Sequence, residues 1–77
     1  MKVAEYRTEI DHVRRTTSDF SSCVTPEERR KWVMRAERCL FELRNVECLT
    51  AKAHDRHRMT DAVKALKEQI QTAKGQS

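Results

Sequence analysis

The chain has 77 residues, 36% charged and 38% hydrophobic, with a formal net charge of +4, one Gly and one Pro. A chain this short makes a single helical domain over residues 1–77. With Gly75 at its tail and Pro26 near its first third, it lacks the turn residues that sheet topologies need. Its four aromatic residues, Tyr6, Phe20, Trp32 and Phe41, are too few for a β-sandwich core or a base-stacking platform, so the expected fold is all-α.

Val3, Tyr6, Ile10, Val13, Thr17 and Phe20 recur at steps of three and four, which predicts a first helix over about residues 2–21. Ser21 to Val24 interrupt the pattern, and Thr25-Pro26-Glu27-Glu28 restarts it. Thr25 can accept a hydrogen bond from an orphan amide of the first turn, and Pro26 at the first helical position sacrifices no needed donor. Glu28 at the third position can reach back as a capping box.

From there Trp32, Val33, Ala36, Cys39, Leu40, Leu43, Val46, Leu49 and Ala53 sustain an apolar stripe, which predicts a second helix over 26–53. His54-Asp55-Arg56-His57-Arg58 sets five polar residues in a row and is read as a turn. Met59, Val63, Leu66, Ile70 and Ala73 then predict a third helix over 58–74, with Gly75 as its C-terminal cap. The expected architecture is an antiparallel three-helix bundle. The alternative is one unbroken helix from Pro26 to Lys74, about 70 Å long at 1.5 Å per residue, whose apolar face would require a second chain.

Chemistry is sparse. Cys23, Cys39 and Cys48 are odd in number and form no Cys-x-x-Cys pair, and no apolar leader follows Met1. These features argue against a secreted disulfide framework and for a cytoplasmic setting. No apolar run approaches the roughly 20 residues needed to cross a bilayer, so contact with a membrane would come through a region outside these residues. Cys48, His54 and His57 lack the paired spacing of a structural zinc site, and the histidines read as solvated turn residues. With no nucleophile motif, phosphate cradle or paired carboxylates, no enzymatic activity, cofactor or small-molecule substrate is expected.

Arg29-Arg30-Lys31, Arg35 and Arg38 form a basic edge, with Arg56 and Arg58 at the junction. Nucleic-acid binding is weighed against a solvated, salt-laced face, because Glu27, Glu28, Glu37 and Glu42 interleave at helical spacing, including Glu28 to Lys31 and Arg38 to Glu42. No helix-turn-helix glycine or basic zipper region is present, so nucleic acid is the less favoured partner, and an acidic protein or anionic lipid headgroups could use the same edge equally well. Phe41 falls slightly off the main stripe as an exposed apolar contact. Arg35, Phe41, Arg56 and Arg58 are the candidate partner-binding residues.

The layout also resembles the N-terminal three-helix (Habc-like) domain of the Vti-type vesicle-transport SNAREs. The resemblance is carried by Tyr6 and Glu9, by Glu27-Glu28-Arg29-Arg30-Lys31, by Ala36-Glu37, Leu40, Leu43 and Glu47, and by Val63 to Ile70. It spans about residues 3 to 74. Where that family often has a Pro between its second and third helices, this chain has Lys52-Ala53-His54-Asp55. The fusion motif and membrane anchor of a working SNARE are absent from these residues. The resemblance implies a regulatory domain in vesicle trafficking at the cytosolic face of endomembranes, recognised by ENTH-type adaptors or by cognate SNAREs. The alternative reading is a stand-alone small helical interaction or inhibitor protein, monomeric or dimeric.

Overall fold

In the computed structural model, which describes residues 1–75, helix α1 covers Val3–Asp19 and tightens into a 3-10 turn at Phe20–Ser22. Helix α2 covers Pro26–Leu43 and α3 covers Ala53–Gly75. The helices form an antiparallel three-helix bundle in which α2 runs against α1 and α3. Helix α3, with 23 residues and so about 35 Å long, sets the long dimension of a 41 × 17 × 17 Å body. The radius of gyration, 13.2 Å, exceeds the roughly 11.5 Å of a rounder domain of this length, as a bundle one layer deep around a single axis requires.

The three apolar stripes meet along that axis. Ile10 and Val13 from α1, Trp32 and Ala36 from α2 and Leu66 from α3 are fully enclosed. The α1–α2 junction is fixed by Trp32. Its indole Nε1–H donates to the Thr16 carbonyl at 2.7 Å, and its ring meets Phe20 edge-on, with centroids 5.0 Å apart. The carbonyl lies in the last turn of α1, where helical acceptors lose their usual partners. The Phe20 amide there bonds to Thr17, three residues back.

The start of α2 follows its local chemistry. Thr25 Oγ1 accepts from the Glu28 amide at 3.1 Å, and the Glu28 carboxylate accepts from the Val24 amide at 3.1 Å, one residue ahead of the cap. Both glutamates of the first turn also face the positive end of the helix dipole.

The second junction lies elsewhere than the sequence predicts. Helix α2 ends at Leu43 rather than at residue 53, and His54 to Arg58, expected as a turn, belong to α3. The amides of Arg44, Asn45 and Val46 bond three residues back, to Phe41, Glu42 and Leu43, the tightening that closes a helix. The connection 44–52 then folds inward and buries Cys48 and Ala51. Leu49, placed on the stripe by its spacing, is 81% exposed.

The polar run is helical because Asp55 takes an inward position. Asp55, Met59, Ala62, Leu66, Ile70 and Ala73 are the buried residues of α3, and their steps of three and four make one continuous stripe. Asp55 is only 2% exposed because Arg7 of α1 reaches it. At the other end, Gly75 is the last helical residue described and has no positive φ. Gly75, expected as the cap just beyond the helix, is thus itself within α3, and the residues that follow lie outside those described.

Candidate interaction surface

A groove follows the seam between α2 and α3. Three adjoining hollows make it up, linked through Glu37, Leu40 and Lys67 at one junction and Lys74 at the other. Its floor is apolar. Val33, Leu40, Leu43 and Val63 are half-buried there, because each lies at the edge of its helix's inward stripe and is covered on only one side.

Phe41 and Met34 stand on the α2 rim of this groove, 63% and 73% exposed. Seven residues apart, they share one face of the helix. The Arg44 guanidinium lies 5.3 Å from the centre of the Phe41 ring, a cation–π distance. Arg30 and Lys67 add positive charge to the rim, while Glu37 is paired with Lys74 at 3.5 Å.

The four candidate partner-binding residues do not converge on this groove. Phe41 lies in it. Arg35 instead lines the polar cleft between α1 and α2, with His12, Arg15, Arg38 and Glu42. Arg56 Nη2 donates to the Leu49 carbonyl at 3.3 Å and ties down the 44–52 connection. Arg58 is half-buried, with Nη1 4.0 Å from Asp55 Oδ1. Two of the four thus serve the fold. Met34 is not among the sequence-based candidates, although its spacing of seven from Phe41 places it on the same face of α2.

The basic edge of α2 is divided by the helix rotation. Arg29 and Arg30 turn to the α2–α3 groove, and Arg35 and Arg38 to the α1–α2 cleft. Arg38 pairs with Glu42 at 3.3 Å, as the spacing suggests, whereas Lys31 pairs with Glu27 at 3.6 Å rather than with Glu28, which is committed to the cap.

Cys39 lies at the floor of the α1–α2 cleft, where burial, followed by the negative charge of Glu42, pushes its thiol above the ordinary cysteine range. That shift suits a core filler and opposes a nucleophile. Among the described residues no group of three or more His, Cys, Asp or Glu side chains is placed to hold a metal ion, and no helix is long and apolar enough to cross a membrane.

The fold and this surface define a three-helix bundle with one grooved, apolar-floored face. No family model, curated protein or solved structure matches the chain.

Proposed function

We propose that this chain is a non-catalytic protein-interaction module that binds its partner along the α2–α3 groove. The observation that carries this reading is the pair Met34 and Phe41, two large apolar side chains held in solvent beside a half-buried apolar floor. Exposed aromatic and methionine side chains grouped beside an apolar depression are what protein interfaces bury at their centres. The test is comparative capture. Partners retained by the wild-type chain are expected to be lost by the double variant Met34→Ser/Phe41→Ser and kept by Arg35→Ala, with all three proteins melting alike. Unchanged capture by the double variant overturns the proposal.

A narrower role is supported by the Habc-like sequence pattern together with the three-helix architecture. In it, the chain is the regulatory N-terminal domain of a vesicle-transport SNARE, acting on the cytosolic face of endomembranes and recognised by an ENTH-type adaptor. Titration with isolated ENTH domains and with cognate SNARE-motif helices separates the two levels. Binding that Phe41→Ser abolishes supports the SNARE role, and absence of binding to both overturns it while leaving the interaction module standing.

A further inference from the structure

We propose that the α2–α3 groove takes an acidic amphipathic helix of about four turns from a different protein. The proposal rests on the interaction-module reading and adds to it the class of partner.

Length and shape come first. The groove extends along α2 from Arg30 to Arg44, which at 1.5 Å per residue is about 21 Å, or roughly four helical turns. Its floor is built from side chains at helical spacing on both walls, Val33 and Leu40 on α2 and Val63 and Ile70 on α3. A third helix laid in the seam would meet it through residues at i, i+3, i+4 and i+7, the mode by which an amphipathic helix seats in a groove. An extended strand would find no sheet edge, because the described residues contain no strand.

Charge sets the polar face of the occupant. Arg30, Arg44, Lys67 and Lys74 stand along the two rims, against Glu37 and Glu68. Glu37 and Lys74 are paired with each other, which leaves Arg30, Arg44 and Lys67 against Glu68. A helix carrying Asp and Glu beside its apolar stripe meets opposite charge on both rims, whereas one carrying Lys and Arg meets like charge along the same length.

The same features disfavour a second copy of this chain. Apart from Met34 and Phe41, the exposed large apolar residues among those described are Met1, Val24 and Leu49, none of them in a helix. A second copy therefore offers only its own groove face, and two such faces would set Arg30, Arg44 and Lys67 against one another.

The experiment uses the isotopically labelled chain and two synthetic helices of about 18 residues. Both carry the same leucine stripe, one with a Glu-rich polar face and one with a Lys-rich face. The expected result is that the Glu-rich peptide moves amide resonances of Leu40, Phe41, Val63 and Lys67 and binds at least roughly tenfold tighter than the Lys-rich one. Phe41→Ser should weaken it, and Lys67→Glu should narrow or reverse the preference.

Equal affinity, or preference for the Lys-rich peptide, overturns the acidic class but leaves the groove as the interaction surface. Resonance shifts confined to the α1–α2 cleft overturn both readings. No shift with either peptide at millimolar concentration overturns the helical occupant, and groove shifts that grow with protein concentration alone assign the face to self-association.

Discussion

The Arg7 guanidinium closes over the Asp55 carboxylate with two hydrogen bonds, Nε to Oδ1 at 3.2 Å and Nη2 to Oδ2 at 3.3 Å, across 48 residues of sequence. The bidentate pair joins the second turn of α1 to the first turn of α3, and it permits a carboxylate to occupy the first inward position of the α3 stripe. Asp55 also lies in the first turn of α3, where the helix dipole favours negative charge.

This pair predicts acid sensitivity. The hydrogen bonds from Arg7 outweigh the opposing effect of burial and hold the Asp55 carboxyl below its ordinary range, with the charges of Arg7, His54 and Arg58 adding to them. A carboxylate whose pKa is lower folded than unfolded stabilises the protein fully above the unfolded value, near 4. That contribution is lost as pH falls through the lower folded value. Urea midpoints measured from neutral pH downward should therefore drop below about pH 4 to 5, and Asp55→Asn should flatten that part of the profile. Arg7→Ala at pH 7 should lower the midpoint by leaving the carboxylate without its main partner.

Trp32 supplies a second test. Trp32→Phe keeps a ring in the core but leaves the Thr16 carbonyl without the indole donor, at a cost of about 1–3 kcal/mol. Denaturant unfolding checks the stability. A near-UV circular dichroism change should accompany it, because the edge-on contact with Phe20 is altered.

The revised helix boundaries separate two leucines that the apolar spacing treats alike. Leu66 is fully buried and Leu49 is 81% exposed. Leu66→Ala should cost about 2–5 kcal/mol, whereas Leu49→Ala should fall within about 0.5 kcal/mol of wild type. Thermal melts of the two variants decide the point. Comparable losses would restore a helix α2 extending to residue 53.

The three thiols should differ in reactivity. Cys23 is half-buried in the α1–α2 connection, while Cys39 and Cys48 are buried. Burial also suppresses thiolate formation at Cys39. Iodoacetamide at pH 8 should label Cys23 first in the native protein, and Cys39 and Cys48 only as urea unfolds the bundle. Peptide mass spectrometry reads the order directly.

The α1 stripe and the opening of α2 were legible because both are governed by nearest neighbours. Tyr6, Ile10 and Val13 are buried as their spacing requires, and Thr25, Pro26 and Glu28 form a cap from residues within four positions of one another. The second junction was not legible. Val46, Leu49 and Ala53 continue the α2 period by coincidence of spacing, and Asp55 masked the start of α3 because a carboxylate in an apolar stripe signals nothing inward unless its partner is known.

The proposed interaction surface was half legible. Phe41 stands off its stripe in the sequence and in solvent in the structure. The companion Met34, the half-buried floor and the shared rim depend on how α2 and α3 rotate against each other. Arg35 lies on another face of α2 from Phe41 through the helical period itself, and Arg56 and Arg58 are held by contacts to the 44–52 connection and within α3.

By itself, then, the sequence determined that the chain is helical, that it has three apolar stripes and that α2 opens at Thr25-Pro26, because periodicity and capping act over a few residues. Tertiary structure alone decided where α2 stops, why the polar segment at 54–58 is helical and which apolar residues remain uncovered. Each of those depends on a contact between distant segments: Arg7 with Asp55, Cys48 and Ala51 with the core, and α2 with α3 along the groove. Their free energy exists only once the helices have packed.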